Sequence, residues 1–221
     1  MEKIVLVFSG GMDSTVLLYD LLAQKKQVLA VSFNYGQKHS KELQAASAIA
    51  EQCGITHEII DISSLTKHLS NSSLTNHEIE VPDGHYASAT MAITIVPNRN
   101  MIFLSIAAGI AINQGVYQLA YGAHGGDHFI YADCRGEFVN AITETFRLCD
   151  NMPVTLQAPY LKYSKADICK IGTQLGVPFE STWSCYKGNA LHCGQCGTCI
   201  ERREAFMMSG LIDPTIYSTE G

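Results

Sequence analysis

The segment Ser9-Gly10-Gly11-Met12-Asp13-Ser14, set directly after the apolar run Ile4-Val5-Leu6-Val7-Phe8, constrains this chain more than any other. A short buried strand ends there, a glycine-rich turn follows, and a helix with apolar periodicity starts. Strand, tight turn and helix in that order open an α/β fold. The two glycines let the backbone turn sharply and come close to an anion, because neither has a Cβ. Their N–H groups, with those of the helix's first turn, point at the bound charge. Ser9 and Ser14 add hydroxyls. Asp13 repels a phosphate, but it can hold a divalent cation that the phosphate shares.

The loop is not of the G-x-x-x-x-G-K-[ST] kind, since no lysine stands at the helix start, and it lacks the dinucleotide pattern G-x-G-x-x-G. S-G-G-x-D-S resembles the PP-loop of ATP pyrophosphatases. That resemblance implies ATP bound along Phe8, Ser9, Gly10, Gly11, Met12, Asp13, Ser14, Thr15, Val16, Leu17 and Leu18, with Asp13 on Mg²⁺, and an adenylated intermediate. Taken alone, the glycines also fit a plain turn between strand and helix.

Further along, Val28 to Phe33 reads as a second buried strand, Ser40 to Gln52 as a helix stopped by Gly54, and His57 to Ile62 as a third strand. The alternation predicts a parallel sheet with right-handed crossovers. Residues 63–98, rich in Ser, Asn and Thr, read as a long functional loop with one short helix. Asn100 to Gln114 reads as a buried helix, Tyr117 to Tyr121 and Val154 to Ala158 as strands, and Glu137 to Leu148 and Ser164 to Leu175 as amphipathic helices. The expected fold is a Rossmann-like α/β sheet of the adenine-nucleotide alpha-hydrolase type over 1–178, with a small C-terminal zinc-binding lobe over 179–221. A hydrophobic share of 47% in 221 residues is ample for one such core. No apolar run is expected to reach the length of a membrane span, and the first residues carry no secretory pattern, so the cytoplasm is the default location.

Cys185, Cys193, Cys196 and Cys199 have the spacing C-x7-C-x2-C-x2-C. Such turns bring pairs of thiolates together, and four thiolates complete a tetrahedral zinc shell with no place for water, so one structural Zn²⁺ per chain is expected. A redox C-x-x-C needs fewer cysteines, and a disulfide framework does not suit a cytosolic protein. His192 is an alternative fourth ligand. Cys53 and Cys169 read as small core hydrophobes.

Three polar segments exceed what a core requires. In Val96-Pro97-Asn98-Arg99-Asn100, Asn98 or Asn100 caps the buried helix, and Arg99 faces an anion near its N-terminus. Gly122-Ala123-His124-Gly125-Gly126-Asp127 continues to Tyr131-Ala132-Asp133-Cys134-Arg135 and opens at the carboxyl edge of the sheet, where such folds bind ligands. His124, Asp127, Asp133 and Arg135 there suit a polar, planar ligand, and Asp127, Asp133 and Arg135 face it or order the loop that does. Cys134 reads as packing or as a substrate contact. In the third segment Ser164 caps a helix, and Lys165 lies in its first turn. A cation is disfavoured there unless it points at phosphate.

Together these segments resemble the 7-cyano-7-deazaguanine synthase family of the queuosine pathway, over nearly the whole chain. The resemblance rests on Phe8 to Thr15, Asn34-Tyr35-Gly36-Gln37-Lys38-His39, Val96 to Asn100, Asp127 with Tyr131 to Phe138, Thr182-Trp183-Ser184-Cys185-Tyr186, and Cys193 to Phe206. Ala132 departs from it, since the family usually has proline there. The resemblance implies that 7-carboxy-7-deazaguanine and ammonia become the nitrile with ATP and Mg²⁺, giving AMP and pyrophosphate. It implies Asp13 and Lys165 as catalytic groups, Arg99, Asp127, Asp133 and Arg135 on substrate, and a homodimer. A net charge of −6 argues against a broad tRNA-binding face, which a tRNA sulfurtransferase or tRNA-lysidine ligase needs. A non-catalytic ATP-binding module would need neither the polar loop nor the cysteines.

Overall fold

The computed structural model describes residues 1–38, 40–69, 71–85, 89–126 and 131–218. Five strands form one sheet: β1 Lys3–Val7, β2 Gln27–Asn34, β3 Thr56–Asp61, β4 Gln118–Ala120 and β5 Thr155–Gln157. Their order is β3-β2-β1-β4-β5, and all pairs are parallel. The continuous apolar run of β1 is explained by its central place, because a parallel strand covered on both faces has no solvent side. Val5 enters the core on one face, with Leu104, Ala107 and Leu119. Ile4 and Leu6 enter the other, with Val16, Leu17 and Ile49.

The helices are α1 Met12–Ala23, α2 Lys41–Cys53, α3 Ser63–Thr66, α4 Arg99–Asn113, α5 Gly136–Cys149, α6 Lys165–Gln174 and α7 Gly197–Ser209. The chain winds outward from β1 to β3, then returns so that β4 pairs with the free side of β1. That reversal opens a crevice at the carboxyl ends of β1 and β4. The long segment after β3 holds α3 and a 3-10 turn at Ala89–Thr94. Residues 179–209 do not stand apart from the sheet: Phe179, Ala205 and Phe206 pack in the same core as α1 and α6.

Thr90–Asn113, with mean hydropathy 1.5, is long and apolar enough to cross a membrane by length and composition. This corrects the expectation that no stretch reaches that length. Inside the fold it is interrupted at Pro97 and Asn98, and α4 buries Leu104, Ala107, Ala108 and Ala111.

Candidate active site

The phosphate-type loop is braced from within. Ser9 N–H donates to Ser14 Oγ at 3.3 Å, and the two hydroxyls lie 3.1 Å apart. Gly11 N–H donates to Ser9 Oγ at 3.3 Å, and Thr15 Oγ1 donates to the Gly11 carbonyl at 2.8 Å. Gly10 has φ +74°, and a Cβ there would lie 2.5 Å from Ala46 N and 2.6 Å from the Glu42 carbonyl. Only glycine lets α2 press so closely on the loop. From the opposite side Gly122, at the end of β4, lets the chain come close to the first turn of α1: a Cβ would sit 3.2 Å from Ser14 N.

Phe8, Ser9, Gly11, Met12, Asp13 and Ser14 line an open cleft. Thr15, Val16, Leu17 and Leu18, read from sequence as part of the nucleotide stretch, are fully buried and do not line it. Helical rotation turns them into the core behind the loop.

Asp13 stands at the first turn of α1, with Lys165 Nζ 3.3 Å from its Oδ2. His124 Nε2 lies 3.8 Å from Oδ1. His124 Nδ1 accepts from Gly126 N–H at 3.1 Å, which puts the ring proton on Nε2, toward Asp13. Burial pushes the Asp13 carboxyl up, but Lys165 and His124 outweigh it and hold it below the usual carboxylate range. Lys165 opens α6 as expected, beneath a capping box between Ser164 and Asp167. Its ammonium also pairs with Glu201 of α7 at 2.6 Å. Nothing in the local sequence marks Glu201, which arrives from the far end of the chain.

Arg99 begins α4 and lines the cleft, its guanidinium 6.0 Å from the Tyr35 ring and 5.8 Å from the Tyr131 ring. Asn98 holds the N-cap position in a left-handed conformation (φ 58°) and makes no side-chain cap, contrary to the sequence reading. Asp133 caps instead, its Oδ2 accepting from Asn100 N–H at 3.1 Å. Asp133 therefore orders the loop and seats Arg99. Cys134 lines the cleft, with Asn100 Nδ2 3.4 Å from its sulfur. Arg135 is exposed at the start of α5 and does not line the cleft. Asp127 lies outside the described residues. Glu42, Tyr35, Trp183 and Tyr186 complete the wall. Sequence reasoning assigned none of them a role, because they come from three separate parts of the chain: α2, the turn after β2 and the segment around Cys185.

The sulfurs of Cys185, Cys193, Cys196 and Cys199 all lie within 4.8 Å of one another, and all four residues are buried. None forms a disulfide. Tetrahedral zinc with bonds of about 2.3 Å sets its sulfurs roughly 3.8 Å apart; Cys193 and Cys199 are separated by 3.9 Å. Backbone N–H groups of Cys193 and Lys187 donate to Cys185 Sγ, and those of Gln195 and Cys196 to Cys193 Sγ. Such bonds favour thiolates, so the donor set fits a metal ion. His192 Nε2 instead accepts from Ser184 N–H at 3.1 Å.

Fold and loop together define the class: a PP-loop α/β protein. Among solved structures, the chain resembles the U34-tRNA thiolase NcsA of Methanococcus maripaludis (TM-score 0.54, 17% identical, 100% of this chain and 78% of that one). It also resembles a predicted subunit of a tRNA methyltransferase from Methanocaldococcus jannaschii (TM-score 0.53, 14% identical, 100% and 94%). At these identities the likeness is one of fold. The chain belongs to the family of queuosine biosynthesis protein QueC, whose model matches residues 3–210. It is 52% identical over 215 residues to the 7-cyano-7-deazaguanine synthase of Methanoregula boonei, covering 97% of this chain and 99% of that protein. It is 51% identical over 218 residues to that of Caldicellulosiruptor saccharolyticus, covering 99% and 96%.

Proposed function

We propose that this chain converts 7-carboxy-7-deazaguanine and ammonia into 7-cyano-7-deazaguanine, using ATP. The observation that carries the reading is one cleft with the serine-glycine-aspartate loop on one wall and Arg99 on another. A carboxylate is a poor electrophile because its oxygen leaves badly. Adenylation makes that oxygen a good leaving group, and ammonia then gives the amide. Activating the amide oxygen in the same way permits loss of water to the nitrile. Both steps activate a carbonyl oxygen with ATP, so one site serves both.

In this reading the loop amides and Lys165 receive the phosphates, and Arg99 receives the substrate's carboxylate. Asp13 Oδ1 is buried and has no hydrogen-bond partner among the described residues, which fits a divalent cation. Mg²⁺ there would neutralise phosphate charge. Asp127 is proposed as a contact to the deazaguanine and Asp133 as the brace of that loop, while Arg135, outside the cleft, is left without a substrate role. The four cysteines hold a structural Zn²⁺ that staples residues 179–221 to the ATP-binding part, 1–178. The exposed Met207, Met208 and Ile212 supply an apolar edge for a homodimer, and the cytoplasm is the proposed location.

Mass spectrometry of the product formed with ATP, Mg²⁺, ammonium and 7-carboxy-7-deazaguanine tests the reading. A nitrile that depends on ATP and ammonium is expected, with AMP and pyrophosphate. Folded, metal-loaded protein that forms no nitrile overturns it.

A further inference from the structure

We propose that the Glu42 carboxylate is the base that takes the protons released as the substrate's carboxyl carbon becomes an amide and then a nitrile. The proposal rests on the synthase reading of the cleft. Forming the first adenylate moves no proton: a carboxylate oxygen bonds to the α-phosphorus and pyrophosphate leaves. When ammonia attacks, a C–N bond forms, the C–O bond to AMP breaks, and one N–H proton must go. When the amide oxygen attacks a second ATP, pyrophosphate leaves and a second N–H proton goes, giving an O-adenylated imidate. Breaking its C–O bond releases AMP and the last N–H proton, and the triple bond forms. Three protons therefore need an acceptor beside the carbon that Arg99 anchors.

Glu42 is placed for that task. It stands in the first turn of α2, whose backbone presses on Gly10 of the loop. Its side chain lines the same cleft as Ser9, Asp13 and Arg99. Among the described residues no side chain makes a hydrogen bond or ion pair with it. The titratable groups that face it are Arg99 from α4, Tyr35 after β2 and Tyr186 from the C-terminal segment. The rival carboxylates are engaged: Asp13 by Lys165 at 3.3 Å, and Asp133 by Asn100 N–H at 3.1 Å. Burial pushes Glu42 up to about 7 against the pull of Arg99, whereas Asp13 is held low and is the weaker base. A base is most useful when it titrates near the working pH.

The test separates the two halves of the reaction. Glu42→Gln should keep ATP–pyrophosphate exchange with the carboxylate substrate within about 3-fold, and slow conversion of added amide to nitrile by about 100-fold or more. Wild-type conversion of the amide, an assay free of ammonia's own titration, should fall as pH drops through about 7. Glu42→Gln should lack that limb, and Glu42→Asp should recover part of the rate. A variant that converts the amide at the wild-type rate overturns the proposal. So does one that loses exchange by the same factor, since Glu42 would then be holding substrate, or a wild-type amide rate flat between pH 6 and 8. A wild type that makes no nitrile sinks the synthase reading itself, and this proposal with it.

Discussion

The backbone N–H of Trp183 donates a 3.0 Å hydrogen bond to the carbonyl of Gly10. Two residues before the first cysteine of the thiol cluster, the chain is thus fastened to the phosphate-type loop. The same tryptophan donates its indole N–H to the Cys185 carbonyl at 2.9 Å, and its ring lies 4.3 Å from that of His192. One residue, through its backbone and its side chain, therefore couples the cluster to the loop.

Loss of the proposed zinc should consequently be felt at the loop. Cys196→Ser is expected to lose its metal and most of its solubility, and what stays soluble should bind ATP more weakly. Elemental analysis and calorimetric titration check both. A folded, fully loaded variant would show that the ligand set is wrongly drawn.

Gly10→Ala adds a methyl 2.5 Å from a backbone nitrogen at a φ of +74°. Left-handed strain and the clash together should destabilise the fold by roughly 2 kcal/mol or more. Urea denaturation reads this as a lower midpoint at unchanged slope, and an unshifted midpoint would mean that α2 does not press on the loop.

Asp13→Asn and Lys165→Met should each lower kcat by on the order of 100-fold, the scale of losing one transition-state contact. Asp13→Asn should move the thermal midpoint only a few degrees, whereas Lys165→Met leaves Asp13 and Glu201 without their shared cation and should lower it further. In Asp13→Asn the pair between Lys165 and Glu201 at 2.6 Å remains. The activity of that variant should also stop depending on Mg²⁺ concentration.

Arg202 is fully buried, and its guanidinium donates to Asp213, Thr182, Ser184 and the Phe179 carbonyl. Burial pushes the Asp213 carboxyl up, but Arg202 and Tyr217 outweigh it and hold it below the usual range. A depressed carboxylate stabilises the fold above its unfolded value of about 3.9, and that stability is lost as pH falls through the folded value. Arg202→Met leaves the half-buried Asp213 carboxylate without its cation, held only by Tyr217 and Thr215 N–H, and should lose about 3 kcal/mol near neutral pH. Asp213→Asn should flatten the acid limb of the stability profile, and an unchanged limb would remove this pair from the account.

Glu42 carries the opposite sign. Its folded value of about 7 lies above the unfolded one, so its contribution is full at acid pH and is lost as pH rises toward 7. Glu42→Gln should therefore be more stable than wild type at pH 8, by on the order of 2 kcal/mol, and equal to it near pH 4. Thermal midpoints at the two pH values check the claim.

The loop was legible because its signal is local: apolar strand, two glycines and an aspartate lie within eleven residues. The helices from 41 and 165 were legible from apolar spacing, and the Ser164 cap from its own four-residue pattern. What escaped comes from convergence. Glu42 looks in sequence like any acidic residue in a first helical turn, and Glu201 like one charge among several after the cysteines. Only the packing of α2 beside the sheet brings Glu42 to the cleft, and only the packing of α7 on α6 brings Glu201 to Lys165. The cap of α4 escaped for the same reason: the local Asn98 is spent on a left-handed turn, and the capping carboxylate arrives from Asp133. Val16 to Leu18 are buried, because a helix whose first turn faces the cleft turns its next residues into the core.

The cysteine segment also clasps the long excursion after β3. Asp83 bridges Cys196, Gly84 N–H donates to the Gln195 carbonyl, and Lys187 pairs with Asp83. These fastenings join early chain to late chain. A ribosome adding roughly 5–20 residues per second makes the glycine loop on the order of ten seconds before it makes Trp183. For that interval the nascent strand and loop exist without the segment that holds them, and a prematurely terminated product carries the loop but never its clasp.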